Sequence, residues 1–232
     1  ELPDHVVEFG PGDTIGLGLA ALLTGARRYF AVDIAPFNNW ERCVDVVDGL
    51  VELLERRAEI PGDDLYPDVF PHLEDYAFPA QLTSERVGHA LARADALRAE
   101  LLRGGGDRIR YIAPWTPAHA ASQPPADWVI SQATMEHVGD ISEAYAVMFA
   151  ILRPGGMASH TIDHRCHHQA TAWNGHWAYP SWAWRMGGRA DLLNRHWAGQ
   201  HVEAAGQAGF DLVECRRIYR SDGLGAGTRG IC

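Results

Sequence analysis

Apolar and polar residues follow one another in blocks that predict short buried strands separated by helices. Residues 6–9 (VVEF) form a brief apolar run of the kind buried in a parallel sheet. The glycines at Gly10 and Gly12 interrupt this run, and the apolar stretch from Ile15 to Leu23 predicts a helix that ends at Gly25. A second strand is predicted from Tyr29 to Val32. This part of the chain therefore predicts a β-α-β unit.

The same alternation continues along the chain and predicts a single α/β domain over residues 1–232, doubly wound, with a mostly parallel sheet and helices on both faces. Two stretches are additions to this plan: a helical insertion at about 40–106 and a lid segment rich in histidine and tryptophan at about 160–198. The further predicted elements are helices at Trp40–Arg57, Ser84–Arg103, from near Ile141, and at Gly199–Ala208, an irregular stretch at Pro61–Pro79, and strands at Arg108–Ala113, Trp128–Ile130, Met157–Ile162 and Asp211–Tyr219.

The glycine turn lies where a strand ends and a helix begins, a place suited to an adenosine-containing ligand. Glycine has no Cβ, so the backbone can approach a ligand closely, and the following helix directs unpaired N–H groups the same way. Asp33 lies 23 positions after Gly10, close to the spacing of about 20 at which an acidic side chain binds a ribose. A dinucleotide motif requires its third glycine at position 15, where the chain has Ile15. NAD is therefore the less favoured ligand.

Three segments together resemble the class I S-adenosylmethionine-dependent methyltransferases. The acidic residue and glycines at Glu8, Gly10 and Gly12 resemble the first motif of that family. Residues 127–138 (DWVISQATMEHV) are similar to its fourth strand and the loop that leaves it, and residues 151–156 (ILRPGG) to the turn before its fifth strand. The matches follow one another in the expected order. The resemblance implies a Rossmann-like fold and S-adenosylmethionine as the cofactor.

The resemblance also implies how that cofactor is held. In this family an acidic residue at the end of the second strand binds the ribose, which is the position of Asp33. Glu8 is expected to be partly buried and to accept hydrogen bonds from the glycine turn. Trp115 stands near where many members carry an acidic residue beside the adenine, so it either offers an aromatic face or packs inside the protein. The implied cofactor-binding residues are Glu8, Gly10, Pro11, Gly12, Asp33, Ile34, Trp115 and Gln132.

Histidines are concentrated at the carboxyl end of the predicted fifth strand and just beyond it, in His160, His164, His167 and His168, together with Asp163. In one interpretation a histidine with a pKa near neutrality, His160 or His164, takes a proton from the acceptor while Asp163 orients it. In another, His164, His167, His168 and Asp163 bind a divalent metal, and a helix beginning near His164 would place these three histidines on one face. In the third, the histidines only hydrogen-bond backbone and water. No spacing matches a zinc signature.

His137 follows Glu136 on the loop that leaves the fourth strand. In the methyltransferase family this loop lines the methyl-transfer pocket, so one role for His137 is that of a general base. The alternative is a structural hydrogen bond across the loop.

Aromatic side chains dominate the lid segment that follows. They either form the wall of an apolar substrate pocket or the core of the lid itself. The residues concerned are Trp173, Trp177, Tyr179, Trp182, Trp184 and Trp197.

Charge and composition disfavour some classes of binding partner and indicate where the protein is located. The formal net charge is −10, and all 20 basic residues are arginine, which disfavours nonspecific nucleic-acid binding because phosphate contacts need a concentrated basic patch. The four cysteines show no C-x-x-C spacing, so reduced thiols and a cytoplasmic location are expected. No apolar run reaches the roughly 18 residues that a membrane span requires. A homodimer contact is among the roles open to the insertion.

Transfer of a methyl group from S-adenosylmethionine to a small-molecule hydroxyl, with a histidine as general base, is the predicted function. The chain begins almost at the first strand, and residues 221–232 are glycine-rich where the family has a seventh strand. Helices before the first strand and a regular seventh strand are therefore expected to be missing from this sequence. The alternatives are an NAD(P)-dependent oxidoreductase and a non-catalytic protein that binds S-adenosylmethionine.

Overall fold

Five parallel strands form the centre of the molecule. The computed structural model describes residues 2–67, 69, 72–187, 192–218 and 223. The strands lie in the order β3-β2-β1-β4-β5, and every neighbouring pair is parallel. This order confirms the predicted doubly wound α/β fold. The strands are β1 (His5–Phe9), β2 (Arg28–Val32), β3 (Ile109–Ile112), β4 (Ala126–Gln132) and β5 (Leu152–Thr161).

Helices connect the strands and cover both faces of the sheet. Over the described residues, none of them has both the length and the apolar composition needed to cross a membrane. The helices are α1 (Gly16–Thr24), α2 (Trp40–Glu55), α3 (Ser84–Leu101), α4 (Pro117–Ala121), α5 (Ile141–Ile151), α6 (Ser181–Met186) and α7 (Ala198–Ala208), with 3-10 turns at Met135–His137 and Gly175–Ala178.

Two cores lie on opposite faces of the sheet because the inner strands are apolar on both sides. On β1, Val6 packs against the layer formed by α1, α2 and α3, whereas Val7 packs against the layer of α5 and α7. Both valines are fully buried, and burying such a side chain contributes about 1.5–3 kcal/mol. The near-continuous apolar runs of the sequence thus correspond to strands covered on two faces.

The insertion between β2 and β3 is part of one of these cores. Val47 of α2 and Leu97 of α3 are buried in the same cluster as Leu19 of α1. The insertion therefore completes a helical layer, a role that the sequence alone did not predict.

The glycine turn lies at the point where the chain changes direction across the sheet. β1 pairs with β2 on one side and with β4 on the other. The chain leaving β1 runs toward β2, whereas the chain leaving the neighbouring β4 runs toward β5, so the two connections diverge. In open α/β sheets, ligands bind in the crevice that this divergence creates at the carboxyl ends of the strands.

The sixth strand predicted at Asp211–Tyr219 is not formed over the described residues 211–218. Its apolar positions are exposed, with Leu212 at 60% and Val213 at 94%. A segment of this kind becomes a strand only beside a partner strand, and in the described residues this one pairs with none. Residues 219–222 and 224–232, which include most of the expected seventh strand, lie outside the described residues.

The fifth strand begins five residues earlier than predicted, at Leu152, directly after α5. Leu152 pairs with Ala126, and Met157 pairs with Trp128, so the LRPGG turn lies as an irregularity inside the strand pairing. The proline and glycines that were expected to precede the strand are accommodated as a bulge, where such residues are tolerated.

Candidate functional site

The glycine turn after β1 depends on glycine for two reasons. Gly10 and Gly12 have φ angles of +67° and +73°, which residues with a Cβ rarely adopt, and Pro11 between them is half-buried. The N–H of Gly10 donates to the carbonyl of Val32 at 2.8 Å. A Cβ at Gly10 would lie 2.3 Å from Thr134 Cγ2, whereas nothing lies within 4 Å of that position at Gly12. The space beside Gly10 is thus filled by Thr134, whereas the space beside Gly12 is free.

Asp33 is bound to this turn. Its Oδ2 accepts a hydrogen bond from the N–H of Gly12 at 3.2 Å, and its Oδ1 accepts one from the N–H of Ile34 at 2.7 Å. Asp33 is buried, and burial raises the pKa of its carboxyl against the opposing effect of these N–H groups. Each carboxylate oxygen retains a lone pair, so Asp33 can accept further hydrogen bonds from a ligand.

Apolar surface lies next to Asp33. Ile34 is 76% exposed. Trp115 is half-buried, and its backbone N–H donates to the carbonyl of Asp33 at 3.0 Å. Its ring packs edge-on against Phe9, with 5.2 Å between the ring centroids. Gln132 is exposed at the end of β4. One side of Trp115 is therefore part of the core, and the rest stays accessible.

Glu8 lies on the opposite side of β1 from Phe9 and makes a different contact from the one expected. Its Oε2 accepts a hydrogen bond from Tyr29 Oη at 2.5 Å, rather than from the N–H groups of the glycine turn. Side chains alternate along a strand, so Glu8 points with Val6 toward the α1 layer. Burial raises the pKa of Glu8 to about 7, although the Tyr29 hydrogen bond lowers it.

Glu8→Gln is expected to raise the free energy of unfolding at pH 8 and to change it little near pH 5. The carboxyl of Glu8 has a higher pKa in the folded protein than in the unfolded chain, so its ionisation favours unfolding. This destabilisation grows from about pH 4.5 to about pH 7 and is constant at higher pH. The upper limit of this cost is about 3 kcal/mol. Glutamine keeps an oxygen for the Tyr29 hydrogen bond. Urea unfolding at several pH values measures the difference.

The exposed Glu59→Gln is the control, since it removes a carboxylate of the same size from the surface. A stability difference between Glu8→Gln and the unsubstituted protein that is the same at both pH values would contradict the prediction.

The 3-10 turn after β4 is held in place by Asn194 of the lid segment. Asn194 Nδ2 donates to the carbonyls of Met135 at 2.7 Å and Val138 at 2.8 Å. Its backbone N–H donates to the carbonyl of Glu136 at 2.7 Å. Three hydrogen bonds from one residue therefore fix the backbone that carries Glu136 and His137.

Glu136, His137 and His167 come together beside this turn. One potential metal-ligating atom from each residue lies within 4.8 Å of the others, and the two imidazole rings lie 5.2 Å apart, edge to face. His137 Nδ1 hydrogen-bonds with the carbonyl of Leu192. Glu136 is 2% exposed, and burial raises the pKa of its carboxyl to about 7. The lid thus adds a histidine to the Glu-His pair of the β4 loop.

The rest of the predicted metal set is arranged differently. Asp163 Oδ1 accepts hydrogen bonds from Arg165, and Asp163 Oδ2 lies 3.7 Å from His167 Nε2. His167 and His168 have left-handed φ angles of +46° and +65°, which a right-handed helix cannot contain. The shared helical face of His164, His167 and His168 is therefore not formed, and Asp163 is hydrogen-bonded to arginine rather than to a histidine.

His160 is half-buried and belongs to a separate group on the α5 and α7 side of the sheet. Its Nδ1 hydrogen-bonds with Ser131 Oγ at 2.8 Å, and its ring is 5.5 Å from that of Tyr145. Tyr145 Oη is 3.3 Å from His201 Nδ1, and the His164 ring is 6.1 Å from the His201 ring. Burial lowers the pKa of His160 to about 4 and that of His201 to about 3. A pKa near neutrality, expected for the base, is thus not found at His160.

The aromatic residues of the lid divide into buried and exposed positions. Trp184 is 3% exposed, with His176 at 5.8 Å and the Arg195 guanidinium at 5.5 Å from its ring. Trp182, by contrast, is 67% exposed. Trp184 therefore belongs to the lid's own core. Of the others, Trp173, Trp177 and Tyr179 are half-buried and Trp197 is 37% exposed.

Several of the residues that build these groups were not predicted from the sequence. Glu136 was noted only as the neighbour of His137, although an adjacent acid and histidine at a strand end was a usable indication. Asn194, Tyr145 and His201 carried no indication, because their roles depend on contacts with distant residues: Tyr145 and His201 are 56 positions apart, and Asn194 and Met135 are 59 apart.

Comparison with known proteins found no matching protein-family model and no matching curated protein. Among solved structures, phosphoethanolamine N-methyltransferase 2 of Haemonchus contortus, in complex with S-adenosyl-L-methionine, is similar with a TM-score of 0.45 and 13% identity, over 90% of this chain and 34% of that one. An S-adenosylmethionine-dependent methyltransferase of Mesorhizobium loti gives 0.44 and 12%, over 91% and 76%. (S)-3-hydroxybutyryl-CoA dehydrogenase of Ralstonia eutropha gives 0.34 and 17%, over 68% and 40%. The chain spans about a third of the length of the Haemonchus protein.

Proposed function

We propose that this chain transfers a methyl group from S-adenosylmethionine to a hydroxyl group of a small molecule. The observation that carries the proposal is the contact between Asp33 and the glycine turn. Because Gly12 N–H holds one oxygen of Asp33, the carboxylate is fixed beside a backbone turn that leaves open space. A nucleoside placed there offers two ribose hydroxyls to the two carboxylate oxygens.

The surroundings of Asp33 suit an adenine ring. Ile34 and the accessible part of Trp115 supply apolar surface on the side of β3, next to the carboxylate. Gln132 stands at the end of β4 with an amide that donates and accepts hydrogen bonds. These residues support a ligand that combines a base, a ribose and a polar chain.

The packing of α1 favours S-adenosylmethionine over NAD. In a dinucleotide site the third glycine lets the helix pack closely on the strand. Here that position is Ile15, fully buried, and the close approach is made by Gly18, where a Cβ would lie 2.2 Å from the Tyr29 ring. The third glycine of the NAD motif therefore has no counterpart in this turn.

The cofactor is tested by calorimetric titration of the protein with S-adenosylmethionine and with NAD. Binding of the first and not of the second is expected. Transfer is then tested with isotopically labelled S-adenosylmethionine and a panel of hydroxylated metabolites. Absence of S-adenosylmethionine binding would refute the proposed function, and binding without transfer to any acceptor would leave a cofactor-binding protein.

His160 and His164 are the histidines that we assign to proton removal from the acceptor hydroxyl. Burial lowers the pKa of both, so each imidazole is neutral at pH 7 and can accept a proton, although the lowered pKa makes it a weaker base than an exposed histidine. His160→Ala and His164→Ala are each compared with the unsubstituted protein in turnover and in S-adenosylmethionine affinity. Substitution of the histidine that acts as the base is expected to lower kcat by about 100-fold or more and to leave the cofactor affinity unchanged.

The exposed His89→Ala on α3 serves as the control for loss of an unrelated histidine. Since the pKa of His160 is about 4, a reaction that depends on it stays level from about pH 6 to pH 8. Unchanged kcat in both variants would remove the histidine base from the mechanism.

A further inference from the structure

We propose that Glu136, His137 and His167 bind a divalent first-row transition metal ion. The three side chains supply one carboxylate and two imidazoles, with potential ligand atoms within 4.8 Å of one another. Ligands of one ion at about 2.0–2.2 Å from it lie at most about 4 Å apart, so small side-chain rotations bring these atoms to ligating distance. Two of the residues share a turn that Asn194 holds rigidly.

The carboxylate of Glu136 indicates that a cation belongs at this place. Both of its oxygens are buried, and neither makes a hydrogen bond of standard geometry with any described residue. The N–H groups of Glu136 itself and of Asp163 lie nearby and only partly compensate the charge. An unpaired carboxylate in such a site is destabilising. A bound metal ion supplies the missing positive charge.

His137 is prepared to act as a ligand. Its Nδ1 hydrogen-bonds with the carbonyl of Leu192, and a carbonyl can only accept, so Nδ1 carries the proton. Nε2 is then left with its lone pair free for a metal. A hydrogen bond from the second ring nitrogen to a carbonyl is the usual way in which a metal-binding histidine is oriented.

His167 offers the third ligand from the lid. Its Nε2 is buried and has no hydrogen-bond partner among the described residues. The backbone of His167 is held at a φ of +46°, and that of His168 at +65°. Consecutive left-handed residues other than glycine are costly and are retained mainly at binding sites. Asp163 Oδ2 lies 3.7 Å from His167 Nε2, but it accepts a hydrogen bond from Arg165 Nε at 2.9 Å, so Asp163 is not counted among the ligands.

The ligand chemistry determines the class of ion. Two nitrogens and one oxygen favour Zn²⁺, Mn²⁺ or Fe²⁺ over Mg²⁺ and Ca²⁺, which prefer oxygen ligands. The site lies at the carboxyl edge of the sheet, on the loop that leaves β4. Its role there rests on the methyl transfer proposed above: an ion with an open coordination position binds the acceptor's hydroxyl oxygen.

Metal binding is tested on the full chain after treatment with a chelator, in the absence of S-adenosylmethionine. Calorimetric titration with Zn²⁺ and with Mn²⁺ is expected to show one ion per chain, with much weaker binding of Mg²⁺. Glu136→Gln and His167→Ala are each expected to weaken Zn²⁺ binding by about 100-fold or more, since loss of a ligand exceeds the 10- to 100-fold effect of losing a supporting residue. His89→Ala on α3 is expected to bind Zn²⁺ as the unsubstituted protein does.

Thermal unfolding without metal separates loss of the site from loss of the fold. Glu136→Gln keeps the size of the side chain and removes its buried charge, so this variant is expected to unfold at the same or a higher temperature while its Zn²⁺ binding is lost. Absence of Zn²⁺ and Mn²⁺ binding, or equal affinity in both variants and the unsubstituted protein, overturns the proposal. Because no cofactor is present, these outcomes are independent of whether the chain is a methyltransferase.

Discussion

Asp33→Ala is expected to weaken binding of S-adenosylmethionine by about 100-fold or more. The two oxygens of Asp33 are held by the N–H groups of Gly12 and Ile34, and their remaining lone pairs are the acceptors that we assign to the ribose. A hydrogen bond to a charged group contributes about 1.5–3 kcal/mol, so two such bonds account for this loss. Calorimetric titration with S-adenosylmethionine gives the dissociation constant directly.

Asp33→Asn is expected to give an intermediate loss, because the amide keeps one acceptor oxygen and replaces the other with a donor. Asp48→Asn is the matched control, since Asp48 lies exposed on α2, paired with Arg98, and away from the turn. Circular dichroism verifies that each variant is folded before titration. Equal affinities in Asp33→Ala and Asp48→Asn would show that the ribose is bound elsewhere.

Gly10→Ala is expected to lower the free energy of unfolding by about 3 kcal/mol or more, the largest effect among substitutions in the turn. A left-handed φ of +67° costs an alanine about 1–2 kcal/mol, and its Cβ would also overlap Thr134 Cγ2 at 2.3 Å. Gly12→Ala has a nearly equal φ of +73° but meets nothing within 4 Å. Its cost is therefore expected to be the backbone term alone, about 1–2 kcal/mol. Urea unfolding of both variants measures the two values.

The double variant Gly10→Ala with Thr134→Ala separates the two contributions. Truncation of Thr134 removes the overlapping methyl and hydroxyl, so part of the stability lost in Gly10→Ala is expected to return. The single Thr134→Ala variant corrects for the lost hydrogen bond from Thr134 Oγ1 to the carbonyl of Gly10. If Gly10→Ala and Gly12→Ala are equally destabilising, the overlap with Thr134 does not determine the effect.

The Rossmann-like sheet and the glycine turn could be predicted because each depends on residues close together in the chain. The turn, α1 and Asp33 lie within one β-α-β unit, and the contact between Gly12 and Asp33 joins residues 21 positions apart. Short apolar runs bounded by glycine or proline are sufficient to place such strands. The spacing from Gly10 to Asp33 then predicts the ribose-binding residue.

Local patterns were insufficient where an element needs a distant partner. Residues 211–218 were predicted to form a strand, yet their apolar side chains are exposed and they pair with no described strand. Likewise, the hydrogen-bond partner of Glu8 depends on β2, which supplies Tyr29 to its carboxylate. A pattern shows which residues prefer burial or extension, and the neighbours decide whether that preference is met.

The histidines show the same division between local pattern and tertiary contact. Their concentration after β5 was evident from the chain, as was the presence of His137 on the β4 loop. Only the folded lid separates them into two groups, with His167 beside Glu136 and His160 beside Tyr145. Ligand geometry and the lowering of a pKa by burial arise from residues about 15 to 60 positions apart, which sequence spacing does not encode. The chain thus specifies its strands, its turn and its supply of histidines locally, whereas packing of the lid against the β4 turn decides what those histidines contact.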